Sequence, residues 1–183
     1  MPPLRASALT RLPFTAQDFT PTKFDSAARK AAFANGLCRF IAADFPSILF
    51  TQLLYDRLCM CCGHIAHCDK SGFFATFFTD LDGKIRFLEQ TLNHPCYGHP
   101  THTYCDVEQA IQARLQACDI LAVYRTLRAS EIAGAERALL AQLRAKYDGV
   151  PVTPHIVAQP AGPPVAAPRR RQADPDTNQP SLL

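Results

Sequence analysis

Most of the cysteine and histidine residues lie in two short segments of the chain. The first, residues 59–68, has the sequence CMCCGHIAHC, and the second spans residues 94–105. Thiolate and imidazole are the ligands that zinc prefers, whereas buried thiols are also ordinary small core residues. The interpretation that competes with zinc binding is therefore core packing. It is favoured by the helical positions of four thiols: Cys38, Cys59, Cys62 and Cys118.

A zinc site would require side chains from both segments to converge. If the first segment is helical, Cys61, His64 and Cys68 stand at i, i+3 and i+7 on one face of the helix. In the second segment two residues separate Cys96 from His99, a spacing that lets a tight turn bind one ion. We therefore predict a candidate zinc site formed by these five residues. It would connect a helix end to a loop and add to folding stability.

Catalytic chemistry is not favoured by the sequence. The first segment matches no usual zinc motif cleanly, and no glutamate adjoins the histidines as it does in metallohydrolase motifs. His67 and Cys68 are neighbours, so on a helix they point in different directions and the imidazole cannot easily activate the thiol. The sequence also lacks a Gly-x-Ser-x-Gly motif and a phosphate-binding loop. These features predict a protein that is not an enzyme.

The charges of the chain are nearly balanced in its central part. The formal net charge is +3, but residues 25–147 carry thirteen Lys or Arg and twelve Asp or Glu. A general attraction to nucleic acid requires a concentrated basic face, so a protein partner is favoured over direct binding to DNA. No apolar run approaches the roughly 20 residues that cross a bilayer, and the N-terminus lacks a secretory signal. We expect a cytoplasmic protein with reduced thiols and no membrane partner.

The elements that must position the cysteines and histidines are predicted to be helices. Asp25 or Ser26 is suited to cap a first helix, which should end near Phe45 because a proline follows. Pro46 suits the first turn of a second helix, where its missing N–H costs nothing. The apolar residues that recur at helical spacing in these two elements are Phe33, Leu37, Phe40 and Ile41, then Phe50, Leu54 and Leu58.

A short third helix is predicted to follow a cap at Ser71. It carries a doublet of aromatic residues that repeats after four positions: Phe73, Phe74, Phe77 and Phe78. Four large rings on one short helix are normally buried, so we expect them in the core rather than on a docking or base-stacking surface. Asp82-Gly83 then predicts a break in the chain before a fourth helix.

The last helices are predicted after an irregular loop that ends near Thr101. Thr103 and Asp106 resemble a capping box at the start of a fifth helix. One or two further helices should reach Tyr147, with Gly134 a possible kink. Their apolar periodicity comes from Ile132, Ala135, Leu139 and Leu143. Their basic residues alternate with glutamates, which is typical of a solvated face.

Three regions are therefore predicted. Residues 1–24 contain four prolines and no periodicity, and we expect a flexible or loosely docked arm. Residues 25–147 should form one domain, an all-α irregular bundle of about six helices. Residues 148–183 are rich in proline and poor in large apolar residues, which predicts a disordered tail.

Three strings of the sequence resemble a family of poorly characterised accessory proteins of bacterial plasmids and other mobile elements. The strings are DFPSILF at 44–50, GHIAH at 63–67 and GFF at 72–74. The resemblance implies a bacterial cytosol and a role in the maintenance, transfer or defence of a mobile element. It implies no catalytic residue, because none of the strings is a known catalytic motif.

Two functions follow as expectations. The first is a non-enzymatic adaptor that binds a protein, or a protein on nucleic acid, in the biology of a mobile element. The second is a zinc-stabilised module that binds nucleic acid and regulates it. Bound zinc would separate the two, because only the second requires it. The sequence does not indicate an oligomeric state.

Overall fold

The computed structural model describes residues 7–61, 69–93 and 98–148, with only the backbone of Cys61. In these residues the protein is all-α: it forms six α-helices and two short 3-10 turns, and it contains no strand. The helices are α1 (Ala27–Ala42), α2 (Gln52–Cys61), α3 (Lys70–Phe77), α4 (Leu81–Asn93), α5 (Cys105–Ala117) and α6 (Ile120–Tyr147). The predicted all-α class with about six helices is confirmed. The predicted disorder of the tail concerns residues outside the described ranges.

Helix α1 begins where the sequence predicts and supplies the centre of the core. The hydroxyl of Ser26 accepts a hydrogen bond from the backbone N–H of Arg29 at 3.3 Å, which caps the helix. Burial of one apolar face against the other helices then stabilises it. The predicted apolar residues are all buried, with 8% exposure or less at Phe33, Leu37, Phe40 and Ile41.

Helix α1 ends at Ala42, earlier than the predicted Phe45. Asp44 and Phe45 both have a left-handed backbone, with φ values of 67° and 57°, and a helix cannot continue through them. This turn inserts the ring of Phe45 into the core, where its centroid lies 5.0 Å from that of Phe78. A left-handed residue costs on the order of 1–3 kcal/mol, and burial of the aromatic ring offsets that cost.

The second helix begins at Gln52 rather than at Pro46. Pro46 instead precedes a 3-10 turn over Ser47–Leu49, and Thr51 caps α2 by accepting a backbone N–H of its first turn at 3.2 Å. The additional turn brings Phe50 into the core, where it is 3% exposed. Proline at 46 favours a helix start through its fixed φ, but burial of a phenylalanine contributes more free energy than that preference.

The phenylalanines of the α3 segment lie in the core, as the sequence predicts. Phe73, Phe77 and Phe78 are buried and Phe74 is half-buried. The ring of Phe78 meets that of Phe40 edge-on, with 4.9 Å between centroids. Each such aromatic pair contributes about 0.5–1.5 kcal/mol beyond the burial of its area. These rings are therefore not available as a stacking platform.

Two predictions about the ends of α3 and α4 are wrong. The cap of α3 is Asp69, which accepts a backbone N–H of the first turn at 2.7 Å, whereas Ser71 lies inside the helix. Asp82-Gly83 does not form a break between two helices, because both residues belong to the first turn of α4. Glycine at position 83 instead permits close packing, since a Cβ there would lie 2.8 Å from the carbonyl oxygen of Thr76.

The predicted capping box at the start of α5 is not formed. The Thr103 hydroxyl accepts the Cys105 N–H at 3.3 Å, but the carboxylate of Asp106 is bonded by Lys30 and by the Thr20 N–H. A hydrogen bond between two charged groups, the Asp106 carboxylate and the Lys30 ammonium, is stronger than the bond to a backbone N–H that the box would provide. The helix forms nevertheless, because its apolar face is buried at Val107, Ile111 and Leu115.

The segment before α1, for which the sequence predicts a flexible or loosely docked arm, packs against the bundle over its described part. Leu9 is fully buried and Phe19 is nearly so. The Phe14 N–H donates to Asn35 Oδ1 and Asn35 Nδ2 donates to the Phe14 carbonyl, both at 2.8 Å. The Arg114 guanidinium lies 3.4 Å from the centroid of the Phe14 ring. Isolated apolar residues such as Leu9 and Phe19 hold this segment by packing against the bundle. Their spacing has no helical or strand periodicity, so a sequence pattern does not reveal them.

Helix α6 is one continuous helix whose two ends have different surroundings. Ile120 and Tyr124 are buried and anchor its first turns. From Ala129 to Asp148 every residue is exposed except the half-buried Gly134. At 1.5 Å per residue this exposed part is roughly 30 Å long. In the described part of the chain every helix is too short or too polar to cross a lipid bilayer.

Candidate docking surfaces

The structure describes only part of the predicted zinc site. His99 is exposed, and its Nδ1 lies 2.8 Å from the hydroxyl oxygen of Thr101. Cys61 is the last residue of α2, and its side chain is not described. His64, Cys68 and Cys96 lie outside the described residues. Within the described ranges no three potential ligands converge. The zinc site therefore stays a prediction.

The loop that carries His99 is held to the bundle by a buried lysine. Lys30 is fully buried in α1, and its Nζ donates to the carbonyls of Pro100 at 2.8 Å and Thr103 at 2.9 Å. The same Nζ donates to Asp106 Oδ1 at 2.9 Å. An ammonium has three donors, and all three are satisfied here. This charge therefore has a structural role, which sequence patterns did not reveal.

The described thiols behave as core residues more than as nucleophiles. Cys38 and Cys105 are buried, whereas Cys59 and Cys118 are half-buried. Burial raises the pKa of the Cys38 thiol to about 11. A thiol with such a pKa is protonated at neutral pH and is a poor nucleophile. The predicted core position of Cys38 is confirmed, and Cys62 lies outside the described residues.

A groove of about 540 Å³ lies between α1 and the segment that contains the second 3-10 turn and α2. We call it the α1–α2 groove. Gly36 and Ala32 leave its floor open, since a Cβ at position 36 would meet no atom within 4 Å. Leu53 stands at its edge and is largely exposed. The remaining lining residues are Phe33, Leu49, Thr51 and Leu54, with Arg29, Arg39 and Arg57 at the rim.

The rim of the α1–α2 groove is positively charged. Arg57 donates to both carboxylate oxygens of Asp25, at 2.7 and 2.8 Å, and Arg29 lies 3.6 Å from the same carboxylate. The hydrogen bond from Arg57, with a smaller one from Tyr104, holds the pKa of Asp25 below its usual range. Among the described residues Arg39 forms no ion pair. Asp25 therefore contacts two of the three arginines, and the rim has a net positive charge.

A second surface is formed by apolar side chains on one face of the exposed part of α6. We call it the α6 stripe. Between 44% and 56% of each of its side chains is exposed. Its members stand at i, i+7, i+8, i+11 and i+15, which places them on one side of the helix. They are Ile132, Leu139, Leu140, Leu143 and Tyr147.

The basic residues of α6 do not form a single cationic face. Arg125 donates to Glu89 and Arg128 donates to Asp82, both at 2.6 Å, so these charges are paired with acidic residues of α4. Further along, Arg137 donates to the backbone carbonyl of Ala133 within its own helix. This arrangement is typical of a solvated face with mixed charges.

The sequence contained partial signals for both surfaces. For the groove, Arg29, Ala32 and Gly36 lie at i, i+3 and i+7, which places small residues and a cation on one helix face. For the stripe, the sequence periodicity was correct, but it did not indicate that Ile132 and Leu139 are exposed. Periodicity identifies the apolar face of a helix, and contacts between elements decide what covers it.

Comparisons with known proteins add no relative. The chain gives no match to a protein-family model, to a curated protein or to a solved structure. The likeness of its short strings to plasmid accessory proteins therefore stays a prediction. The two docking surfaces are the features of this chain from which a function is inferred.

Proposed function

We propose that this protein is a non-enzymatic adaptor that binds an amphipathic helix of a partner protein in the α1–α2 groove. The observation that carries the proposal is the groove itself, an apolar cleft of about 540 Å³ between helical elements. Its volume is that of a small-molecule pocket, roughly 300–1,000 Å³, so it can receive apolar side chains from one face of a helix but not the whole helix. A third helix would lie over it with apolar residues at i, i+3, i+4 and i+7, as in other helix-in-groove complexes.

The charge of the rim determines which helix fits. The rim carries three arginines, and Asp25 pairs with only two of them, so acidic residues on the flanks of the bound helix would be favoured. Exposed ion pairs contribute only about 0–1 kcal/mol each, so burial of the apolar floor would supply most of the affinity. The arginines would instead select the partner and orient it.

A protein helix fits the groove better than nucleic acid does. The floor is lined by Ala32, Phe33 and Leu54, whose apolar side chains offer nothing to a phosphate backbone. The charges of residues 25–147 are also nearly balanced, so no broad basic face accompanies the rim. The resemblance to plasmid accessory proteins supports a partner that serves the maintenance or transfer of a mobile element.

A pair of synthetic peptides tests the proposal. Both form amphipathic helices with leucine at i, i+3, i+4 and i+7, but one has glutamates on its flanks and the other has lysines. Fluorescence anisotropy of each labelled peptide is measured against the full chain at low salt. We expect the acidic peptide to bind about tenfold more tightly, because the rim is cationic. Equal affinities would contradict the proposed charge selection.

A matched pair of variants locates the binding site. Gly36→Leu places a side chain in the open floor of the groove and favours the helix by about 1 kcal/mol, so the fold is retained while peptide binding is lost. Gly134→Leu makes the same change in α6, where a Cβ also meets no atom within 4 Å, and should leave binding unchanged. Normal binding by the Gly36→Leu variant would exclude the groove as the site.

A further inference from the structure

The α6 stripe lies apart from the groove and has no partner among the described residues. Its five apolar side chains are each about half exposed, on a part of α6 that projects beyond the bundle. Contiguous apolar patches of this kind mark interaction surfaces in proteins that expose few others. Helices also gain most of their stability from the packing of an apolar face. Within the described chain this part of α6 has an apolar face but no such packing.

We infer that the α6 stripe pairs with the α6 stripe of a second copy of this chain, and that the two helices run antiparallel. We place the centre of the antiparallel pair between Leu139 and Leu140. Leu139 of each copy then faces Leu140 of the other copy. The same symmetry places Ile132 opposite Tyr147. The contact is therefore self-complementary, as a two-fold interface requires.

The charges beside the stripe fit the antiparallel direction. Glu136 lies on the stripe face in the N-terminal half of the exposed helix, and Arg144 and Lys146 lie in its C-terminal half. Antiparallel pairing brings Glu136 of one copy near Arg144 of the other, at both ends of the contact. A parallel pair would instead place like charges together, which destabilises helix pairs.

The chain's own C-terminal segment is a poor alternative occupant of the stripe. Residues 149–183 contain eight prolines, and proline removes the N–H that a helix interior requires. No stretch between these prolines offers apolar residues at i, i+3, i+4 and i+7 over the length of the stripe. A second α6 has the right length, spacing and charge.

Sedimentation equilibrium of the full chain tests this inference. The chain mass is 20.2 kDa, so we expect a mass near twice this value, with dissociation on dilution. Leu139→Glu combined with Leu143→Glu should weaken the dimer by about 100-fold or more, because four buried leucines are replaced by charges. A wild-type chain that stays monomeric at roughly 100 µM, or a dimer unaffected by this double variant, would overturn the inference.

A second double variant controls for the added charge. Ala138→Glu combined with Ala145→Glu adds the same two glutamates to exposed positions on the opposite face of α6. This variant should remain dimeric, with circular dichroism unchanged in both double variants. Dissociation of the control to the same extent as the stripe variant would show that charge alone separates the copies, and it would overturn the assignment of the stripe.

A charge exchange tests the direction of the helices. Glu136→Arg should weaken the dimer by about tenfold, because it places two arginines near each other at each end. Adding Arg144→Glu in the same chain should restore the affinity in an antiparallel pair. Failure of the second change to restore it would overturn the antiparallel arrangement. Peptide binding in the α1–α2 groove should be unaffected by every α6 variant, so the two proposals fail separately.

Discussion

Helices α1 and α6 both carry apolar residues at helical spacing, but only α1 is covered along its length. The apolar face of α1 is buried from Phe33 to Ile41, whereas that of α6 is exposed from Ile132 to Tyr147. Each helix also contains a cation, Lys30 buried in α1 and Arg125 exposed in α6, and a glycine at which a Cβ would meet no atom within 4 Å. The comparison shows that amphipathic spacing specifies which face of a helix is apolar, while the neighbouring elements determine whether that face contributes to folding or to association.

The largest expected difference in stability is between removing the buried cation Lys30 of α1 and removing the exposed cation Arg125 of α6. Lys30→Met keeps the length of the side chain but leaves Asp106 and two carbonyls without their buried donor. We expect the free energy of unfolding to fall by about 3–5 kcal/mol. Arg125→Met in α6 removes only an exposed pair with Glu89 and should cost about 0–1 kcal/mol. Urea denaturation measures both, and similar losses would show that burial of Lys30 is not the deciding factor.

A matched leucine truncation compares the two apolar faces directly. Leu37→Ala in α1 creates a cavity in the core and should lower the free energy of unfolding by about 2–5 kcal/mol. Leu139→Ala in α6, made in a chain that carries Leu143→Glu to keep it monomeric, should change it by about 0.5 kcal/mol or less. Denaturation midpoints provide the measurement. A loss of several kcal/mol at Leu139 would mean that α6 is covered within one chain.

The pH dependence of stability reports the burial of Cys38 in α1. Its pKa is about 11 in the folded protein against an ordinary value of 9.0, so the unfolded chain loses this proton first as the pH rises. The free energy of unfolding should therefore fall between about pH 9 and pH 11, by about 2–3 kcal/mol from this group. Cys38→Ala should remove that contribution, measured as the difference between the two denaturation curves. The half-buried Cys59, changed to alanine in the same way, is the control.

The smallest expected difference concerns the two helical glycines. Gly36→Ala in α1 should raise the free energy of unfolding by about 1 kcal/mol, because a Cβ meets open space and the helix propensity improves. Gly134→Ala has the same local preference but lies in the exposed part of α6. It should raise the helical signal in circular dichroism and shift the denaturation midpoint less. Equal shifts would indicate that α6 and the bundle unfold as one unit.

The sequence predicted the regular parts of the fold well. The cap at Ser26, the buried face of α1 and the aromatic core of α3 follow from local chemistry, so a single segment contains the information needed to predict them. The turn at Asp44 and Phe45 and the delayed start of α2 did not follow. They depend on where Phe45 and Phe50 reach the core, which is a property of several elements together.

The functional surfaces were harder to predict than the fold. The zinc site was predicted from residue types, and most of its proposed ligands lie outside the described residues, so that prediction is still to be tested. The α1–α2 groove arises where two elements leave space between them, and its traces in the sequence are small residues such as Gly36 and a cation on the same helix face. Cations on one helix face are common, so their spacing alone did not indicate a site.

By itself the sequence determined the all-α class, the apolar face of each long helix and the balance of charge, because each depends on residue types within one segment. The tertiary structure alone decided that Lys30 is buried, that the segment before α1 is packed and that α6 projects with its stripe exposed. Those outcomes depend on distances between segments far apart in the chain. Local propensity contains no information about such distances, which are set by the packing of the whole bundle.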